Sequence, residues 1–506
     1  MLFSSIEFIF FYLPITLGLY FVLSRWSHKW GIAWMAAASI CFYGWWKAGY
    51  LVLLGASILM NYFVGESILD RKAAGSQRQA KRILTLGVGL NLALLLYYKY
   101  TNFLVGAANS LLGAHLPNPP IELPLGISFF TFTQTAYLVD CYARQVHRYG
   151  LLNYVLFVSY FPYLIAGPIL HHNEMMPQFN TRKRHYFNVM DLGVGLTLFA
   201  MGLFKKVVVA DNIAYMANLA FKESAGKELI PLYMAWKGSL AYTLQLYFDF
   251  SGYSDMALGL SRMVGIKLPV NFHSPYKARS AVDFWQRWHR TLSRFIRDYL
   301  YIPLGGSRKG AVRKYVNLGV SMFLAGVWHG AGWTFIVWGL MHAAYLMVNH
   351  LWRDLKKLLG FGPRVGGGLG DIVANALSCL VTFLAVNFAW VMFRAESLQS
   401  GATVLRSMLD LGKWRDYAQL NAMDIREMAV LGLLLAAVFI LPNTQQVLRR
   451  YSPGIGLYRG ERHFLLRGLV WKPTLGWALV AAVLLTASVL TVFTSFKSLE
   501  FLYFQF

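Results

Sequence analysis

Residues 315–352 read YVNLGVSMFLAGVWHGAGWTFIVWGLMHAAYLMVNHLW, two apolar runs separated by the break Trp328-His329-Gly330-Ala331-Gly332-Trp333. Arg313 and Lys314 precede this stretch, and Arg353, Lys356 and Lys357 follow it. Short basic loops stay on the cytoplasmic side of a bilayer, so two basic ends predict a hairpin over 315–352 that enters the membrane and returns. Its turn then carries His329 at or inside the membrane. Non-helical backbone at that depth persists only where protein buries it or where it lines a wet cavity.

The rest of the chain agrees with a membrane setting. Of 506 residues 57% are hydrophobic and only 14% charged, against about 25% charged in soluble domains. The apolar content excludes a disordered chain, and three cysteines exclude a disulfide scaffold. A net charge of +24 would suit nucleic acid only on a soluble basic domain, and no long stretch free of apolar runs exists to form one. The partner implied is the lipid bilayer, not nucleic acid. Apolar runs fall at 6–24, 30–46, 50–69, 83–104, 122–142, 151–170, 190–210, 231–249, 315–328, 333–352, 371–393, 427–447 and 474–496. Most approach the ~20 residues a spanning helix needs. They predict one polytopic all-α membrane domain over 1–506, with about 11–13 membrane helices, some broken or re-entrant. The first run has no basic segment before it and no small-residue cleavage site after it, which predicts an uncleaved span.

Basic loops lie at 25–29, 71–82, 144–148, 182–184, 277–314, 353–364 and 449–472, whereas 106–120 contains no Lys or Arg. This pattern places the basic loops in the cytoplasm and both termini on the far side. Between Arg148 and Arg182 a single apolar run has basic residues at both ends and contains Pro162 and Gly167-Pro168, so it is expected to enter the membrane and return. Gly366-Gly367-Gly368 reads as a linker. Cys41, Cys141 and Cys379 lie in apolar segments without metal-ligand spacing and read as buried free thiols.

The basic segment 277–314 holds an amphipathic pattern over Ser280–Ile302, with Ser280 and Asp283 placed as a capping box. Trp285, Leu292, Ile296 and Tyr299 form an apolar stripe, and Arg287, Arg290, Arg294 and Arg297 form the opposite one, as in an interfacial helix. His289 falls on the apolar side. A lone inward histidine is most often a hydrogen-bonded core residue. Here His329 is placed in the membrane by a separate argument, and two histidines from distant segments around one cavity suit proton transfer. Asp249 and Asp255, in YFDFSGYSDMA, are candidates for the same site or for pairing with arginines of the basic loop. Lys205 and Lys206 are expected to snorkel, and His171-His172 has no acidic or cysteine partner spaced for a metal. No metal site and no soluble-enzyme motif is evident.

FWQRWHRTLSRFIRDYLYIPLGGSR, followed forty residues after its histidine by GVWHGAGWTFIVWGLMHA, resembles the signature of the membrane-bound O-acyltransferases, most similar to the bacterial alginate O-acetyltransferase branch. The opening MLFSSIEFIFFYLP, YFDFSGYSDMA, LPVNFHSPY and the closing FLYFQF resemble that branch too, so the likeness spans nearly the whole chain. It implies helices around a central tunnel, with His329 and His289 at the catalytic positions. His342, Trp288 and Asn271 match as supporting positions beside Asp249 and Asp255. It also implies acetyl-CoA as acyl donor with no bound cofactor, a bacterial inner-membrane location, and periplasmic acetyltransferase or esterase-like partners that pass acetyl groups to a surface polysaccharide. Arg287, Arg290 and Arg294 then either attract the donor's phosphates or merely anchor their helix. Alginate is the acceptor this branch suggests. The same chemistry on cellulose or peptidoglycan, and a non-enzymatic flippase or scaffold, are the alternatives.

Overall fold

The computed structural model describes residues 1–144, 146–181, 186–360, 368–412, 420–456 and 469–494. The basic stretch 182–184, parts of those at 144–148, 353–364 and 449–472, the glycines at 366 and 367, and the closing segment 501–506 lie outside the described residues. Among the described residues there is no β-strand, and a bridge between Pro269 and Ile455 stands alone. The helices are α1 (Phe8–Trp26), α2 (His28–Gly44), α3 (Tyr50–Ala73), α4 (Gln77–Leu112), α5 (Ile127–Ala143), α6 (Leu151–Ser159), α7 (His172–Phe179), α8 (Val189–Glu223) and α9 (Leu232–Met263). There follow α10 (Ala281–Arg287), α11 (Arg290–Ile296), α12 (Ala311–His329), α13 (Trp333–Leu358), α14 (Leu369–Arg394), α15 (Leu398–Leu409), α16 (Ala422–Ile440) and α17 (Leu475–Thr494).

Each apolar run in the sequence contains helix, and the protein is an all-α integral membrane protein. By length and composition, six helices among the described residues can cross a bilayer: α1, α3, α4, α8, α14 and α17. Their outward faces carry exposed leucine and valine, such as Leu479, Val483 and Leu490 of α17, a surface suited to hydrocarbon rather than water. Helix α9 misses that standard for a physical reason: a helix sheathed by other helices need not be apolar throughout. The 32-residue α9 is buried along nearly its whole length, and α16 begins with Asp424 and Glu427, which both pair with Lys237 of α9 at 2.6 Å.

Ion pairs and lysine contacts tie the ends of neighbouring helices together. Lys72, at the end of α3, donates to the carbonyls of Cys141 in the last turn of α5 and of Arg144 just after it, and Arg148 pairs with Glu66 and Asp70. At the opposite ends, Lys47 pairs with Glu122. Within 151–181, α6 has nine residues, about 14 Å of helix, too short to cross. Asn153 donates to Asn180 at 2.7 Å, so the segment's two ends lie side by side after its break at Pro162 and Gly167-Pro168. Helices α12 and α13 form a hairpin whose outer ends meet through Lys314 and Asp354 at 3.7 Å. Of the cysteines only Cys141 is buried. Cys41 is exposed on α2 and Cys379 is half-buried, a correction to the expectation of three buried thiols, because apolar positions of a membrane helix face lipid as often as protein.

Two glycine pairs let α8 and α9 touch backbone to backbone. A Cβ on Gly202 would sit 2.6 Å from the Gly252 carbonyl oxygen and one on Gly252 2.7 Å from that of Gly202, and Gly195 and Gly259 repeat the arrangement seven residues away on each helix. Small residues serve membrane helix pairs in this way. Gly252→Val is therefore expected to separate the two helices and lower both the melting temperature and the yield of folded protein in detergent, whereas Gly55→Val, where a side chain meets open space, leaves both unchanged.

Candidate active site

The stretch from Pro269 to Tyr301 does not lie on the membrane face as one amphipathic helix. It breaks at Trp288-His289, with His289 in the left-handed region at φ +41 and ψ +53. Tertiary hydrogen bonds hold the break: Arg290 N donates to the Asn271 carbonyl at 3.0 Å, and His273 N donates to the Arg287 carbonyl at 2.9 Å. Ser280 caps α10 by accepting from Asp283 N at 3.1 Å, but the expected capping box is only half formed, because the Asp283 carboxylate accepts from Arg279 N instead of Ser280 N. The break turns the following residues inward. Tyr276 donates to the Thr243 carbonyl, and Phe250 from the middle of α9 lies edge-on to His289 at 4.9 Å between ring centroids. His289 thus sits against the centre of the helix bundle rather than at an interface.

That position brings it to His329. Helix α12 runs from its basic start at Ala311 to His329 as its last residue, about 27 Å along the axis. The His289 and His329 rings lie 6.5 Å apart, centroid to centroid, a gap wide enough for roughly one small group between the nitrogens. Trp338 packs against His329 at 5.0 Å and His342 at 4.9 Å. Phe250, Trp328, Trp338 and Phe393 complete an aromatic enclosure, and all three histidines are buried.

Asn271 fixes the chemistry of His289. Its side-chain oxygen accepts from Thr291 N at 3.3 Å and Thr291 Oγ1 at 3.0 Å, and lies 3.1 Å from His289 Nδ1. Because the Thr291 backbone N–H can only donate, it identifies the oxygen, and His289 Nδ1 is therefore the protonated nitrogen. Nε2 then presents a lone pair and has no hydrogen-bond partner among the described residues.

The other candidates separate. Asp255 accepts from Lys205 at 2.6 Å, from Thr444 at 2.8 Å and from Gln445, while Asp249 pairs with Lys206 at 2.8 Å. These carboxylates neutralise lysines between α8 and α9 and do not meet the basic-loop arginines. Lys205 and Lys206 turn inward rather than snorkel, because each has an acid within reach in the protein. The arginines divide too. Arg287 is buried and bonds Asp283 at 2.7 Å, Arg290 donates to the Gly456 carbonyl at 2.7 Å, and Arg294 holds Glu174 through two contacts. They do not form one solvated stripe, since the break at His289 rotates the second helix relative to the first. Trp288 stacks on Phe284 and lies tilted against Trp390 beside the enclosure. Among the described residues no three His, Cys, Asp or Glu side chains gather to hold a metal.

Two clefts flank α10. A cleft of about 570 Å³ is lined by Arg290, Arg294, Arg297 and Glu174. A larger one of about 1150 Å³ runs between α10, α13 and α14, lined by Arg279, Arg287, Arg353 and Lys356 against the single acid Asp283, and it reaches His342. Neither is lined by His289 or His329, so Trp338 stands between the larger cleft and the histidine pair. Arg279 was not singled out from the sequence, and Arg353 and Lys356 entered only as charges flanking the hairpin, three among 47 basic residues.

Comparison with known proteins identifies a family. The model of the membrane-bound O-acyltransferase family matches residues 39–390. The peptidoglycan O-acetyltransferase of Helicobacter pylori is 42% identical, over 81% of this chain and 80% of its own length. A probable alginate O-acetylase of Pseudomonas putida is 37% identical over the full length of both chains. The teichoic acid D-alanyltransferase of Bacillus subtilis is 28% identical over 56% of this chain and 71% of its own.

Proposed function

The chain belongs to the membrane-bound O-acyltransferase family, is an acyltransferase of a multi-pass membrane protein type, and from that premise we propose that it moves acetyl groups from acetyl-CoA at its basic, cytoplasmic face toward hydroxyls of an envelope polysaccharide. Alginate is the favoured acceptor, reached through periplasmic acetyltransferase partners across a bacterial inner membrane. Membership of an enzyme family sets aside the flippase and scaffold alternatives.

The observation that carries the donor side is the large cleft. Arg279, Arg287, Arg353 and Lys356 surround an entrance that ends at His342, and clustered cations with little opposing acid favour a polyphosphate ligand. The thioester end would then point toward Trp338 and the histidine pair. His329 takes the proton as the acceptor oxygen bonds to the thioester carbonyl carbon. The tetrahedral intermediate collapses by breaking the C–S bond, and the proton passes to the leaving sulfur, giving ester and free thiol. The attacking hydroxyl has one hydrogen, which goes to His329, so His289, whose Nε2 has no hydrogen-bond partner among the described residues, orients the acceptor by accepting from a second donor group on it. Stabilising the oxyanion would require Nε2 to donate, which the Nδ1–H tautomer does not allow. Enclosure by aromatic rings excludes water that would hydrolyse the thioester.

Membranes given acetyl-labelled acetyl-CoA are expected to place ester-linked label on polysaccharide released by alginate lyase. Label released by a muramidase instead would favour the second reading, peptidoglycan, which the 42% identity to the Helicobacter pylori enzyme supports. Changing Arg279, Arg353 and Lys356 together to alanine is expected to raise the KM for acetyl-CoA about tenfold or more at low salt, with less change in kcat. An unchanged KM would remove the cleft from the donor path.

A further inference from the structure

A helix leaves its last four carbonyls without partners inside the helix, and in a membrane no water is at hand to take them. Helix α12 ends at His329, so the carbonyls concerned are those of Gly326, Val327, Trp328 and His329. Gly330 N reaches the first at 3.5 Å. The other three are taken by two adjacent side chains of α4. Tyr100 Oη donates to the Val327 carbonyl at 2.8 Å, and Lys99 Nζ donates to those of Trp328 at 2.6 Å and His329 at 3.0 Å. Lys99 Nζ also lies 5.9 Å from the centre of the Trp328 ring, at the negative end of the α12 dipole.

The α4 backbone is shaped for this contact. Leu96–Tyr100 is a π-helical turn inside an otherwise regular helix. A π turn costs hydrogen-bond quality and marks functional places in helices, and here it lies against α12 at the level of the residue that bears His329. Beyond His329 the chain turns back at once through Gly330-Ala331-Gly332 into α13, so α12 has no further turn of its own to steady its last residue.

We propose that Lys99 and Tyr100 are positioning residues for acyl transfer, holding the end of α12 so that the His329 imidazole keeps its place across the gap from His289. This rests on the catalytic role assigned to His329. The side chains act through carbonyl oxygens and touch neither donor nor acceptor.

The test measures acetyl transfer from labelled acetyl-CoA in membranes containing the full chain. Lys99→Met is expected to lower kcat by about tenfold to a hundredfold, the range expected of a misplaced catalytic group, with the donor KM within about twofold. Tyr100→Phe keeps the ring and removes only the donor, and is expected to lower kcat severalfold. Lys99→Arg, which keeps hydrogen-bond donors, is expected to recover most of the loss. Leu96→Ala, at an exposed position of the same turn, should leave kcat unchanged. In a His329→Ala background, Lys99→Met should add nothing. If Lys99→Met and Tyr100→Phe leave kcat intact while His329→Ala is inactive, the positioning role is overturned and the catalytic assignment stands. If His329→Ala itself retains full activity, the assignment beneath the proposal fails. Loss of folded protein in Lys99→Met that Lys99→Arg restores, together with normal kcat in a well-folded Tyr100→Phe, would also overturn the proposal by marking the contact as structural only.

Discussion

His329→Ala, at wild-type abundance in the membrane, is expected to lower polysaccharide acetylation by about three orders of magnitude, the middle of the range for removal of a general base. The substitution removes an imidazole from an aromatic enclosure and leaves a void, so its melting temperature is measured alongside. A folded, inactive chain is the expected result. His329→Gln, which fills more of the space but cannot take a proton at neutral pH, is expected to be equally inactive and nearer to wild type in stability. Acetylation at wild-type level in either variant would remove His329 from the reaction. His289→Ala is expected to be less severe, because an orienting acceptor contributes less than the base it assists.

Asp255→Ala is expected to be the most destabilising of the single changes considered for the former site candidates. It removes the carboxylate that accepts from Lys205, Thr444 and Gln445 and leaves the lysine beside nothing of opposite charge at that contact. Breaking a buried pair from one side costs about 3–5 kcal/mol. Asp255→Asn keeps an acceptor of the same shape and is expected to lose less. A large fall in melting temperature in detergent, with normal specific activity in the fraction that stays folded, identifies Asp255 as a structural group. An unchanged melting temperature with lost kcat would return it to the reaction.

These two residues illustrate how far the sequence could be read. His329 stands out because a W-H-G break interrupts an apolar hairpin flanked by basic residues, and a polar break in such a place needs a reason. Asp255 stands out for a similar reason, being an acid within an apolar segment, yet its partner is Lys205, fifty positions earlier. Nothing in the local pattern of either segment indicates that they meet. The amphipathic stripe over Ser280–Ile302 misled for a related reason. Periodicity describes a continuous helix, whereas the backbone at His289 is drawn out of helical geometry by bonds to Asn271 and its neighbours. Lys99 passed unremarked in the sequence as one lysine in LLLYYKY, although an ionisable residue in an apolar run is itself a signal.

The sequence by itself determined that this protein is an all-α membrane protein, where its helices run, and which two segments carry the histidines. These are properties of composition and short-range periodicity, and the cost of exposing apolar residues to water or polar backbone to lipid enforces them locally. The tertiary structure decided that His289 leaves its helix and faces His329, that the carboxylates of α9 neutralise lysines of α8, and that Lys99 caps a carbonyl 229 positions away. In a membrane, unmet hydrogen bonds and charges find their partners wherever packing brings them, and separation along the chain does not limit that search.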